Sequence, residues 1–188
     1  MQQIHVQFKR AMVSNPTLIN VAEVPPLGLP PIPVSIANPI TEGKSALGRK
    51  LFFDRRLSIN NTFSCAIFHI PGQGFTNHEI ERTVGVERHS HRRNSPTIFN
   101  TTYLARLPHD GRENSLGTPV WSPLLAHNEM TMPSMGRVFE RINGLADYKG
   151  LFEQAFDGQS VNPVTMGQAL ATYSRVLDSG NSPFDRWH

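Results

Sequence analysis

The sequence of 188 residues lacks several features that would assign a chain to a class at once. It has a single cysteine, Cys65, which excludes an internal disulfide and removes the usual cysteine argument for an oxidising compartment. The opening residues include no apolar stretch long enough for the core of a signal peptide. No segment has the roughly 20 apolar residues that a membrane helix requires. We therefore expect no membrane span, and a chain that is cytoplasmic, already processed or lacking its export signal.

The sequence also lacks a run of like charge. Its 18 basic and 15 acidic residues give a net charge of +3 and are spread along the chain. This distribution argues against nucleic-acid binding. The length suits one domain with an ordinary hydrophobic core, so an enzyme is not excluded.

Proline is concentrated near the start of the chain. Six prolines lie between Val24 and Pro39, and each fixes its own φ and biases the preceding residue away from the helical region. We predict that residues 1–40 form an extended arm and that residues 41–188 form the domain it covers. A disordered tail is the alternative, which is weakened by interleaved apolar residues that need a surface to cover: Leu27, Leu29, Ile32, Val34 and Ile36.

Helical signals flank the middle of the chain. Helices are predicted to begin after Thr41, after Ser134 and after Asn162, the last with Pro163 at its first position. A further short helix is predicted over residues 145–156. The apolar positions at helical spacing are Ala46, Leu47, Leu51 and Phe53 in the first helix, Met135, Val138, Phe139 and Ile142 in the second, and Ala169, Tyr173, Val176 and Leu177 in the last. No strand signal competes, so the predicted class is mainly α.

Between Arg56 and Pro133 no helical or strand period is sustained, and Gly, Pro, Asn, Ser and His recur every few residues. So long an irregular region is unusual inside a compact domain unless something besides chain packing organises it. We expect a bound cofactor to do so.

Cys65 and His69 lie four residues apart in this irregular region, a spacing that puts both on one face of a helical turn. The usual c-type haem signature, Cys-x-x-Cys-His, uses two thiols that add to the haem vinyl groups and a histidine that binds the iron. Phe68 occupies the position of the second cysteine, which limits any attachment to one thioether. On these residues alone, a buried structural cysteine beside an unrelated histidine remains the alternative.

The surrounding segments resemble the bacterial di-haem cytochrome c peroxidase and MauG family. They occur in the family's order: ALGRKLFFDRRLSINNTFSCA, HIPGQGFTN, RRNSPTIFNTTY, HDGRENSL, PLLAHNEM and SGNSPFDRW. The resemblance covers about residues 27–187 and corresponds to the first of the family's two haem domains. It implies a cytochrome c-like haem domain with long irregular loops.

The resemblance implies roles for four residues. His69 becomes the axial iron ligand, which needs a hydrogen-bond acceptor for its other ring nitrogen. Cys65 becomes the single thioether donor of a haem c, and Phe68 packs against the porphyrin edge. Glu129 matches the family's distal carboxylate, which moves a proton between the oxygens of peroxide. Its alternative is a solvent-facing glutamate ahead of a helix.

Other positions carry weaker implications. Asn94 matches a position that helps hold calcium between the two haem domains, or it braces the turn before Pro96. His109 lies either on an electron path near a haem propionate or on the surface. Arg93 and Arg112 are candidates for pairing with propionates.

Two further groups of side chains are given no ligand role. The histidines of the polar loop, His78, His89 and His91, are interpreted as solvated. Met130 and Met132 are interpreted as pocket packing rather than as a sixth iron ligand, because a peroxidatic haem needs a displaceable sixth position.

Two functional hypotheses follow. The first is a periplasmic peroxidase-type haem domain that reduces hydrogen peroxide or stores oxidising equivalents, with electrons from a second haem on another chain or a missing domain. The second is a mono-haem electron carrier or a degenerate structural subunit. Either suits a place in a homo- or hetero-oligomer. A chain that binds no haem would leave residues 56–133 without an organiser.

Overall fold

The structure is a computed structural model that describes residues 24–33, 35–104 and 121–187. The α-helices in these ranges are α1 (Glu42–Phe53), α2 (Cys65–Phe68), α3 (Ser122–Leu125), α4 (Met135–Asn143), α5 (Leu151–Ala155), α6 (Pro163–Arg175) and α7 (Pro183–Trp187). Short 3-10 helices cover Arg55–Leu57, Pro71–Gln73, Val86–Arg88, Thr101–Tyr103 and Ala146–Tyr148. The β pairing in the same ranges consists of two isolated bridges, Ile70 with Thr76 and Val84 with Ser90. The predicted mainly α class is confirmed. None of the helices in these ranges has the length and apolarity to cross a bilayer.

The predicted helix starts are confirmed by their side-chain caps. Thr41 accepts a hydrogen bond from the Lys44 amide, and Ser134 accepts one from the Arg137 amide. Asn162 accepts from the amides of Val164 and Thr165, and the Thr165 hydroxyl accepts from the Asn162 amide in return. These bonds satisfy amides that the first turn of a helix leaves without partners.

The long helices α1 and α6 pack against each other and form the centre of the core. At their closest approach a β-carbon on Gly48 would lie 2.0 Å from the Ala169 carbonyl oxygen. Glycine is disfavoured inside a helix, so its presence here reflects the space that α6 needs. One turn further along α1, the rings of Phe52 and Tyr173 lie 5.2 Å apart.

The buried face of α1 differs in part from the prediction. Leu47 and Leu51 are buried as predicted, but Ala46 is exposed and Phe53 is only half-buried, whereas Phe52 is buried. The face that meets α6 includes Ser45 and Gly48, small residues that a count of apolar side chains overlooks. The predicted faces of the helices that became α4 and α6 pack against or within the core as expected.

The single helix predicted over residues 145–156 is wrong. A 3-10 turn over Ala146–Tyr148 is followed by α5, Leu151–Ala155. Gly150 separates them in the left-handed region at φ 78°. A helix cannot continue through that conformation, which glycine adopts readily.

The proline-rich segment before α1 is attached mainly by hydrogen bonds to its carbonyl groups. Arg175 donates to the carbonyls of Pro33 and Asn38, both at 2.7 Å. Ile32 is buried, but Leu27 and Ile36 are exposed, so the expectation that all the interleaved apolar residues cover the body is wrong. Proline-rich backbone lacks many of its own donors, which leaves carbonyls for the body to bind. Residues 1–23 and Val34 lie outside the described residues, and the boundary at residue 40 stays a prediction.

Candidate functional site

The single cysteine and His69 lie on one helical turn. The turn is α2, and the His69 amide donates to the Cys65 carbonyl at 2.9 Å. This is the i to i+4 bond of an α-helix, so both side chains leave the same face. Phe52 of α1 lies against this turn, with its ring centroid 6.4 Å from that of His69.

The His69 imidazole is oriented by two backbone carbonyls. Its Nδ1 atom lies 3.0 Å from the Pro96 oxygen and 3.2 Å from the Phe75 oxygen. A carbonyl only accepts, so Nδ1 carries the proton and Nε2 keeps its lone pair. Burial lowers the pKa of His69, while the two carbonyls act in the opposite direction. The ring is therefore neutral at physiological pH, the state in which histidine binds a metal.

Turns after the motif bring these carbonyls to the ring. Gly74 and Phe75 both have positive φ values, 69° and 56°, and fold the chain back so that the Phe75 amide bonds the Ile70 carbonyl. The Thr97 hydroxyl donates to the Gly74 carbonyl at 2.6 Å, and the Thr76 hydroxyl donates to the Ser95 carbonyl. The RRNSPT segment is thereby fixed beside His69.

Asn94 takes part in the same set of hydrogen bonds between loops. Its amide nitrogen donates to the Asn77 carbonyl, and its Oδ1 accepts from the Ser95 amide at 2.8 Å. These bonds are those of the turn-bracing alternative. The described ranges contain no group of three or more His, Cys, Asp or Glu residues that could hold a metal ion. A calcium role for Asn94 stays a prediction.

The remaining candidates for propionate or haem contact are only partly described. Arg93 is exposed. His109 and Arg112 lie outside the described residues, and all three roles stay predictions.

Phe68, in place of the second haem cysteine, is a core residue. Its side chain is 4% exposed, and its ring stacks on Phe63 at 5.7 Å and contacts the His91 ring at 5.6 Å. The substitution therefore adds packing where the usual signature has a thiol.

Glu129 lies in a tight turn that follows α3. Its amide donates to the Ala126 carbonyl at 3.0 Å, and its carbonyl accepts from the Val86 amide at 2.9 Å. Burial raises the pKa of Glu129 to about 7. Burial, and then the charge of Glu129, raise the pKa of Cys65 to about 12, so carboxyl and thiol lie in the same region. The Glu129 side chain is 22% exposed, so the alternative of a solvent-facing glutamate is wrong.

His91 was misjudged by the sequence prediction of a solvated loop. His78 is exposed as predicted, but the side chain of His91 is 17% exposed and its Nδ1 lies 3.8 Å from the Glu129 Oε1. The only hint in the sequence is its position immediately before the RRN segment. Met130 and Met132, by contrast, are buried in the core, as the packing interpretation predicts.

These residues fit a haem attached at one point. They provide a neutral imidazole with its Nε2 lone pair retained, a thiol one helical turn away, and a partly buried carboxyl group with a pKa near neutrality. Thioether formation, axial ligation and distal proton transfer are the chemistry that these three groups can perform.

Comparison with known proteins shows the family to which the chain is similar. The family model described as di-haem cytochrome c peroxidase matches residues 42–188. Methylamine utilization protein MauG of Methylorubrum extorquens is 39% identical over 157 residues, 83% of this chain and 44% of that protein. Cytochrome c551 peroxidase of Pseudomonas aeruginosa is 35% identical over 162 residues, 82% of this chain and 46% of that protein. The chain thus spans less than half the length of these curated relatives.

Solved structures show the same likeness. A MauG-like protein associated with microbial copper homeostasis superposes with a TM-score of 0.76 at 29% identity, over 86% of this chain and 48% of that one. The diheme peroxidase BthA from Burkholderia thailandensis gives a TM-score of 0.62 at 25% identity, over 77% of this chain and 39% of that one. The fold and the extent of the match agree, and the chain belongs to the di-haem cytochrome c peroxidase family.

Proposed function

We propose that this chain is a c-type haem domain that reacts with hydrogen peroxide. Cys65 forms its single thioether and His69 binds the iron through Nε2. The observation that supports this most directly is the pair of carbonyls on the Nδ1 atom of His69, because a fixed tautomer with a free Nε2 is what an axial ligand requires. Phe68 packs beside the attachment turn, and Arg93 and Arg112 pair with the propionates.

Glu129 is the proton-transfer group of this proposal. A bound haem supplies an iron that polarises the peroxide and holds the oxidising equivalents. Glu129, as the carboxylate, removes the proton from one peroxide oxygen and returns it to the other, which leaves as water. A group of this kind works best when its pKa lies near the working pH, and burial raises the pKa of Glu129 to about 7.

The source of electrons lies outside this domain. The chain spans less than half of its curated relatives, and the family model is that of a di-haem protein. We propose that a second haem, on a further domain or another chain of an oligomer, delivers the electrons, with His109 on the path. The same assembly completes a calcium site at Asn94. We place it in the periplasm, where the family matures its haem.

A second candidate function is supported by Phe68. A buried phenylalanine in place of the second attachment cysteine suits a domain that has lost the family's reaction and serves as a mono-haem electron carrier or structural subunit.

Mixing the ferric, haem-loaded protein with hydrogen peroxide separates the two candidates. The Soret band should change rapidly, and Glu129→Gln should slow that change about 100-fold without loss of haem. Glu140→Gln, an exposed glutamate in α4, is the matched control and should react at the wild-type rate. A six-coordinate ferric haem that is inert to peroxide would favour the electron carrier.

The pH dependence of the same reaction follows from the raised pKa of Glu129. The reactive form is the carboxylate, whose fraction rises as pH increases through about 7. The rate constant should therefore rise over that interval and level off above it. The inflection should be absent in Glu129→Gln, which has no titrating group at this position.

A further inference from the structure

His91 contacts Phe68, which stands where the usual signature has its second cysteine, and Glu129, the proposed proton-transfer group. Its ring centroid lies 5.6 Å from that of Phe68, and its Nδ1 lies 3.8 Å from the Glu129 Oε1. That distance is too long for a hydrogen bond, and because burial lowers the pKa of His91 the contact is a polar one made by a neutral imidazole. Both side chains are largely shielded, at 17% and 22% exposure, so water weakens the interaction less than it would at the surface.

The backbone fixes His91 and Glu129 relative to each other. The His91 amide donates to the Thr83 carbonyl at 2.8 Å, which closes a short loop over residues 83–91. The Val86 amide in that loop donates to the carbonyl of Glu129 itself at 2.9 Å. A β-carbon on Gly85 would lie 2.1 Å from the Asn128 carbonyl oxygen, so glycine is what allows the loop to sit against the Glu129 turn.

The Nε2 atom of His91 is buried and has no hydrogen-bond partner among the described residues. An unsatisfied buried nitrogen is costly, and native structures rarely keep one without a functional reason. A leucine in this loop would fill space without an unsatisfied nitrogen. The orientation of the ring is therefore better explained by its contact with Glu129 than by the stability of the loop.

We propose that His91 is a positioning residue for Glu129, with an imidazole, packed against Phe68 and fixed by the 83–91 loop, that orients the carboxyl group for proton transfer. This inference rests on the proposed function. Two other titratable groups interact with this pair. Besides burial, the charge of Glu129 raises the pKa of Cys65, and the charge of His91 lowers the pKa of His69. Burial lowers the pKa of His91, and the backbone of Asn128 acts in the opposite direction.

The test compares variants of the haem-loaded protein. His91→Leu removes the polar contact, and His91→Asn keeps it, because the side-chain amide of asparagine reaches the position of the histidine Nδ1. His89→Gln is the matched control, since His89 lies in the same loop but contacts His127 and Glu87 instead. The peroxide rate constant is measured for each from pH 5 to 9. The protonation midpoint of Glu129 is followed by the infrared band of its carboxyl group, identified by its absence in Glu129→Gln.

We expect His91→Leu to slow the reaction at least about tenfold, His91→Asn to recover most of the loss, and His89→Gln to match the wild type. Removal of the imidazole should also shift the midpoint of the Glu129 band upward, because the carboxylate loses its polar neighbour. If His91→Leu does not retain haem, His91→Phe takes its place, because it keeps a ring against Phe68 and has no polar atom near the carboxyl group.

Wild-type rates with an unmoved carboxyl band in both His91→Leu and His91→Asn would overturn the inference. Equal slowing in both with an unmoved band would also overturn it, since that pattern indicates only a structural role. A Glu129→Gln variant that reacts at full rate would instead contradict the proposed function. The two failures are therefore distinguishable.

Discussion

At the scale of single residues, the sequence predicts the side chains of the candidate site better than it predicts the groups that orient them. The spacing of Cys65 and His69 predicts a shared helical face, and the hydrogen bond between them confirms the turn. The need for an acceptor on the histidine could also be predicted. Its identity could not, because the carbonyls of Phe75 and Pro96 have no side-chain signature and reach the ring only through turns that distant hydroxyls fix.

The burial of Phe68 gives a prediction at the same scale. Phe68→Cys restores the usual signature and provides a thiol for a second thioether, yet it removes a buried ring that packs on Phe63 and His91. We expect the variant to lose about 3 kcal/mol of unfolding free energy, measured by urea denaturation of the haem-loaded protein. Phe68→Leu, which keeps most of the volume, should lose less than half as much. Unchanged stability in Phe68→Cys would show that the ring does not contribute to the core.

At the scale of elements, the caps were predictable and the helix contacts were not. Thr41, Ser134 and Asn162 cap their helices because a side-chain oxygen near free amides is a local requirement that the sequence contains. The contact between α1 and α6 is not local. It depends on Gly48, which a count of hydrophobic side chains overlooks. Phe52 follows Gly48 by one helical turn and is buried, whereas Phe53 is only half-buried.

For the substitution Gly48→Ala, helix propensity and packing change the unfolding free energy in opposite directions. Alanine is the better helix former by about 1 kcal/mol, but its β-carbon at position 48 would lie 2.0 Å from a backbone oxygen of α6. Gly48→Ala should therefore lower the unfolding free energy by about 1–3 kcal/mol, because the helices must separate.

Gly136→Ala in α4 is the control for that measurement. A β-carbon there meets nothing nearer than the Ser134 hydroxyl oxygen at 3.6 Å, an ordinary contact. We expect it to be neutral or slightly stabilising in the same urea titration. Equal effects of the two substitutions would contradict the account of the α1 and α6 contact.

At the scale of the whole molecule, the long irregular region is the feature that the sequence explains only in part. The prediction that residues 56–133 are irregular agrees with the short turns and four-residue helices described there. What organises the described part is a set of hydrogen bonds between loops, such as Val86 to Glu129 and Thr97 to Gly74, that join residues far apart in the chain. A cofactor bound in this region would add contacts between segments that these hydrogen bonds already join.

The mass of the intact, denatured chain tests the central claim, that Cys65 holds a haem, more directly than any other measurement. The protein should be isolated from a host that matures c-type haem, and noncovalent haem is lost on denaturation. We predict the mass of the polypeptide plus one haem, and the polypeptide mass alone for Cys65→Ala. An unmodified mass for the wild type, or a haem that survives in Cys65→Ala, would contradict the claim.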